Sequence, residues 1–187
     1  MAEEVIDLVD ENGKPTNQIE SKRAAHQKGL RHQSSHVWIY NPQGKVLLQK
    51  RSVNKDSWPG LWDVSAAGHV IHGETPKEAA VREVFEETGL KINPKDLEYL
   101  GVDKVSRIIP KVNWTNNEFY HIYLLKFNGK AEQLRLQKED VEKVEFFTID
   151  KIEKDLKDSK ENKKYVPHGE YYHKIFKLVR EKTGKQE

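Results

Sequence analysis

The stretch TPKEAAVREVFEETG, residues 75 to 89, fixes one helix and the two surfaces that helix must find. Thr75 followed by Pro76 and Glu78 is a capping box with proline at the first helical position. Gly89 stands where a left-handed C-terminal cap is wanted, so the spacing predicts a helix over 76–88. At about 100° per residue, Ala80, Val81, Val84, Phe85 and Thr88 share one arc. Glu83, Glu86 and Glu87 share the opposite arc, with Arg82 at its edge.

As a solvated face that acidic arc is unfavourable. Glu83 precedes Glu86 by three positions and Glu87 by four, and like charges so spaced repel by roughly 0.2–0.5 kcal/mol per pair. Glu86 and Glu87 also fall in the last turn, where the helix dipole disfavours an anion by about 0.3–1 kcal/mol. Lys77 lies at the far end and neutralises neither. A hard divalent cation such as Mg²⁺ or Mn²⁺ reverses both penalties, because carboxylate oxygens are its preferred ligands. An ordinary solvated face is the alternative that composition alone allows.

The other elements follow from short patterns. EVIDLV closed by DENGKP reads as an edge strand or hairpin, and SKRAAHQKG as a capped helix ending at Gly29. HVWIY and KVLLQKR flank the turn NPQG. LWDVSAAG, LEYLGVDKV, EFYHIYLLKF and KVEFFTI supply further strands, and TIDKIEKDL and YYHKIFKLVREK supply helices. Mixed strands with helices between and after them predict a mixed α/β (α+β) fold. No repeat or linker divides the chain, which is read as one domain over 1–187, with 1–33 as an N-terminal extension and 160–187 as a C-terminal helical segment.

Composition narrows the function. A net charge of +2 without a basic stripe argues against specific nucleic-acid binding. No apolar run reaches the length of a membrane span. The chain contains no cysteine, which removes thiolate metal sites and thiol nucleophiles and suits the cytoplasm. Oligomeric state has no signature here.

Gly68, Glu74 and the run Arg82-Glu83-Val84-Phe85-Glu86-Glu87-Thr88-Gly89-Leu90 resemble the Nudix hydrolase signature without a departure. The resemblance implies an α/β/α sandwich with a mixed sheet and a strand-loop-helix catalytic motif. It also implies metal-dependent attack of water on the diphosphate of a small molecule, with Mg²⁺, or Mn²⁺ in its place, as cofactor. Carried over by position, Glu83, Glu86, Glu87 and the Gly68 carbonyl are the metal ligands, Arg82 orients the acids, and Glu74 supports the loop.

Residues 4 to 90 further resemble isopentenyl-diphosphate isomerase, through DLVDENGKP, KRAAH, LRHQSS, GKVLLQKRS and KDSWPGLW. That resemblance assigns Lys22, Arg51 and Lys55 to the substrate diphosphate. It also makes His26, His32, His69 and Glu118 a candidate second metal site, with Asn116 where the isomerase has a second glutamate. The isomerase's catalytic cysteine falls at Ala67, and alanine transfers no proton, so hydrolysis is favoured over isomerisation. A non-catalytic diphosphate sensor is the third reading. Glu118 is the first candidate for the general base, with Glu139, Asp140, a signature glutamate or a metal-bound hydroxide as alternatives. Trp58, Trp62 and Trp114 are candidates for stacking a nucleobase, and KKYVPHGEYY, with His168, for covering one mouth of the pocket.

Overall fold

The computed structural model describes residues 3–184; residues 1–2 and 185–187 of the two anticipated terminal segments lie outside the described residues. Its strands are β1 (Val5–Val9), β2 (Pro15–Ser21), β3 (His32–Tyr40), β4 (Lys45–Arg51), β5 (Trp62–Asp63), β6 (Ala66–His69), β7 (Glu98–Ile109), β8 (Trp114–Lys126) and β9 (Val141–Thr148). The helices are α1 (Lys22–Lys28), α2 (Pro76–Thr88), α3 (Ile149–Lys157) and α4 (Glu170–Thr183). The strands form a mixed sheet centred on β3, which pairs antiparallel with β1, β4 and β6 and parallel with β8.

Alternation along the central strands builds two cores. Val37, Ile39 and Leu47 pack with Ala80 and Val84 of α2 on one face. Trp38, Tyr40, Val46 and Leu48 pack with Ile152 of α3 and with Tyr172, Ile175 and Phe176 of α4 on the other. Helices cover both faces, which gives the α/β/α sandwich. Helix α2 spans the residues that its caps specify. The Thr75 hydroxyl and the Glu78 backbone form the capping box, and Gly89 closes the helix at φ 70°.

Two departures from the sequence reading shape the functional region. LWDVSAAG is two strands: β5 pairs with β4 and β6 with β3. β3 and β4 stay in register only at Ile39–Leu47 and Tyr40–Val46, then part. Ser65, between the two short strands, fills the opening: its Oγ accepts from Ile39 N at 2.7 Å and donates to Leu47 O at 2.5 Å. This satisfies two backbone groups that the parting strands would leave unpaired in the interior. The second departure is that β3 starts at His32, four residues earlier than the apolar run HVWIY. Residues 32, 34 and 36 share a face with Trp38 and Tyr40, yet they are polar, and Ser34 and His36 line a cavity.

Candidate active site

The parted strands, α2 and β8 enclose a cavity of about 720 Å³. Into it project every residue expected to bind metal or diphosphate except His32, which stands directly behind Glu118 in the β3–β8 ladder. Arg82 organises the acids of α2. Its Nε and Nη2 donate to the two carboxylate oxygens of Glu74 at 2.8 and 2.9 Å, a bidentate pairing suited to its planar fork. Nη1 donates to Glu83 and, at 3.1 Å, to Glu86, and Nη2 also reaches His69 O at 2.9 Å. The arginine at the edge of the acidic arc thus ties Glu83 and Glu86 to the loop that leads into the helix. An Arg82→Lys variant keeps the charge and loses the fork. Its expected kcat/KM falls roughly 10- to 100-fold, the size of effect that loss of a supporting hydrogen bond has where the supported carboxylates bind metal. Unchanged kinetics in a phosphate-release assay would contradict that role.

Glu87 is held separately. Its Oε2 accepts from Gln49 Nε2 on β4 and from the Ala67 backbone N on β6, both at 3.0 Å. Glu83 presses against Gly68, where a Cβ would fall 1.9 Å from Glu83 Oε1. Burial raises the carboxyl pKa of both Glu83 and Glu87, and their mutual repulsion raises Glu87 further. Glu86 is the most exposed of the three, with its side chain 47% accessible. Two buried carboxylates one helical turn apart, Glu83 bonded to Arg82 and Glu87 to two neutral donors, are an oxygen donor set suited to a hard divalent cation.

The histidine cluster lies beside this set. His26, His32, His69 and Glu118 each present a ligand atom within 4.8 Å of all the others. His32 Nδ1 donates to Leu30 O at 2.9 Å. That bond fixes the tautomer, so in the neutral ring the lone pair sits on Nε2, which is buried and has no hydrogen-bond partner. The Nε2 atoms of His26 and His69 face each other at 3.0 Å. Burial lowers the pKa of both rings and keeps them in the neutral form that binds metals. An orphaned imidazole nitrogen, two facing ones and a buried carboxylate fit a transition-metal ion. β6 serves both groups at once: Ala67 and Gly68 face the carboxylates while His69 faces the histidines.

The expected diphosphate cations reach the cavity, each with an acid partner. Lys22 pairs with Glu4 at 3.1 Å, Lys55 with Asp140 at 2.5 Å, and Arg51 with Asp63 at 3.1 Å. Arg51 also donates to Ser57 through Nε and Nη2. Asp63, unmarked by any motif, accepts from His168 Nε2 at 2.7 Å, which draws the KKYVPHGEYY segment to the cavity. Burial alone would raise the Asp63 carboxyl, but His168 and Arg51 beside it hold it below its usual range. His36, buried and stacked on Tyr120 at 4.0 Å, has its pKa lowered to about 3, chiefly by burial. Gln49, Asp63 and His36 escaped the sequence reading because their partners, among them Glu87, His168 and Tyr120, come from distant elements and follow no local spacing.

The fold and its glutamate-bearing helix α2 point to a family of hydrolases, which the sequence comparisons identify. A family model described as NUDIX domain matches residues 30–169, and the chain belongs to that family. It is 38% identical over 189 residues to a protein of Arabidopsis thaliana named Nudix hydrolase 3, a match covering 97% of this chain and 24% of that one. The chain therefore spans about a quarter of that relative's length. It is also 36% identical over 121 residues to an isopentenyl-diphosphate Delta-isomerase of Streptomyces griseus, covering 64% of this chain and 60% of that one. A crystal structure from Deinococcus radiodurans shares the fold at a TM-score of 0.65 and 24% identity, covering 95% of this chain and 98% of that one. No helix among the described residues is long and apolar enough to cross a membrane.

Proposed function

We propose that this chain is a divalent-metal-dependent pyrophosphohydrolase. In this reading water attacks phosphorus in the diphosphate linkage of a nucleoside di- or triphosphate or another organic diphosphate. The observation that carries it is the buried pair Glu83 and Glu87 in a cavity that Lys22, Arg51 and Lys55 also line. Glu83, Glu86, Glu87 and the Gly68 carbonyl would hold Mg²⁺, with Mn²⁺ as a substitute. When bound, the cation neutralises diphosphate charge and makes water a usable nucleophile near neutral pH. Arg82 keeps Glu83 and Glu86 in place, and Gln49 with the Ala67 N–H keeps Glu87 in place. Lys22, Arg51 and Lys55 bind the diphosphate, the two lysines by exchanging their carboxylate partners for phosphate oxygens. Glu118 takes the proton of the attacking water. The even balance of charge and the lack of cysteine favour a small-molecule substrate and the cytoplasm over nucleic acid or an oxidising compartment.

A second reading, isomerisation of an isoprenoid diphosphate, draws on the gathered His26, His32, His69 and Glu118. Ala67 and the absence of any cysteine weigh against it. Both are tested on one panel of nucleotides and isoprenyl diphosphates with Mg²⁺. Phosphate or pyrophosphate release that EDTA abolishes is expected, with no dimethylallyl diphosphate formed from isopentenyl diphosphate by proton NMR. Tight nucleotide binding without turnover would favour the sensor. The histidine cluster is tested by Mn²⁺ titration followed by electron paramagnetic resonance. We expect bound Mn²⁺ beyond what the carboxylate set holds, a component kept in Glu86→Gln and lost in His32→Ala; a bound-Mn²⁺ stoichiometry unchanged by His32→Ala would rule out the histidine site.

A further inference from the structure

Lys22, Lys55 and Arg51 each face an acid across the cavity. Arg107 does not. It stands on β7 opposite Asn116 of β8, on the face that lines the cavity, and takes part in no ion pair among the described residues. Its guanidinium carbon lies 5.9 Å from the ring centroid of Trp58, within the range of a cation–π contact.

Trp58 is itself an anomaly. Its φ is 51°, in the left-handed region, where a side chain of this size costs about 1–2 kcal/mol. Strain of this kind persists where the surrounding structure imposes it, and it clusters at ligand clamps and active sites. The indole belongs to neither hydrophobic core and lies half-buried on the cavity wall. The other candidate tryptophans are already engaged. Trp114 stacks on His26 at 4.5 Å and 5°, and Trp62 meets Phe147 edge-on at 4.8 Å.

We propose that Trp58 and Arg107 form a clamp for a flat aromatic ring on the substrate, and so select ring-bearing diphosphates over alkyl ones. The proposal rests on the reading of the site as a diphosphate hydrolase. A ring held between two faces at van der Waals distance needs about 7–8 Å between them. The present separation is 5.9 Å, so Arg107 has to swing outward by about 1–2 Å, which its flexible stem permits. The indole then stacks on one face of the ring and the planar guanidinium on the other, and a positive charge facing an aromatic quadrupole is favourable on both sides of Arg107's travel. A branched alkenyl chain offers no such face. The carboxylates of α2 line the same cavity as Trp58 and Arg107, so one substrate can present its diphosphate to the acids and its ring to the clamp.

The test is calorimetric titration of the full chain with Mg²⁺, using α,β-methylene-ADP and its ring-free counterpart, methylenediphosphonate. The unaltered protein is expected to bind the nucleotide analogue roughly 10- to 100-fold more tightly, as base stacking on aromatic side chains supplies. Trp58→Ala and Arg107→Met should each remove most of that preference while leaving methylenediphosphonate affinity unchanged, and Trp58→Phe should restore part of it. Circular dichroism establishes that each variant is folded. Equal affinity of the unaltered protein for both ligands would overturn the clamp and leave the hydrolase reading intact. So would an equal loss for both ligands in the variants, or no loss. Binding of neither ligand would overturn the diphosphate reading, and the clamp with it.

Discussion

Glu87→Gln is expected to cut hydrolysis by about 10³-fold, equivalent to several kcal/mol of charge stabilisation by a bound cation. The same variant, freed of metal, is expected to melt no lower than its parent at mildly alkaline pH. Both effects come from one buried charge. Burial raises the Glu87 pKa in the folded protein above its value in the unfolded chain, and Glu83 raises it further. Between those two values the folded state holds the extra proton. The stability associated with this group is therefore complete below the unfolded pKa and is lost as pH rises through the folded one. Glutamine cannot ionise and keeps an oxygen for Gln49 and the Ala67 N–H, so it escapes that loss. Thermal melts in EDTA across the pH range, paired with phosphate-release kinetics in Mg²⁺, check both halves. A variant that is inactive and also markedly less stable at every pH would mark Glu87 as a packing residue.

Gly68→Ala carries the second large effect. The added methyl would sit 1.9 Å from Glu83 Oε1 and 2.0 Å from its carboxyl carbon, closer than any contact can be. Glu83 has little room to retreat, because Arg82 grips it from one side and the helix backbone fixes it from the other. The expected cost is about 1–3 kcal/mol of stability, the usual range for overpacking a filled interior. Activity should fall more steeply than stability, since the displaced atom belongs to the proposed ligand set. Melting temperature and kcat measured on the same preparation separate the two. Full activity in the alanine variant would remove Glu83 from that set.

The parts legible in the sequence were those with local causes. Helix α2 has its caps and its acids within one short stretch, and its bounds and caps appear where the spacing places them. Of the apolar arc, Ala80, Val84 and Thr88 are buried, but Phe85 is 47% exposed because Glu83 and Glu87 take the buried side beside β6. Helix α1 likewise runs from the Ser21 cap to Gly29. The silent parts had distant causes or no apolar pattern. β2, PTNQIES, is exposed along most of its length and shows no alternation. The first residues of β3, His32 to Ser35, are mostly buried but polar, so hydropathy reads them as loop. Ser34 lines the cavity, His32 belongs to the histidine cluster and Ser35 Oγ donates to Pro76 O, so each polar side chain serves the site or its helix; Asn116 and Glu118 on β8 likewise line the cavity. Strand character is hardest to see where a strand serves the site. The gathering of His26, His32, His69 and Glu118 came from a resemblance, since no spacing rule links α1, β3, β6 and β8.

Ala67 enters the carboxylate network through its backbone N–H alone. Every residue except proline has that group, so the hold on Glu87 is indifferent to the side chain at this position. The side chain itself opens on the cavity. A lineage can thus exchange a methyl for a thiol or hydroxyl here while the helix, the glycine contact and the arginine fork stay as they are. Position 67 is an interchangeable fitting on a fixed mount.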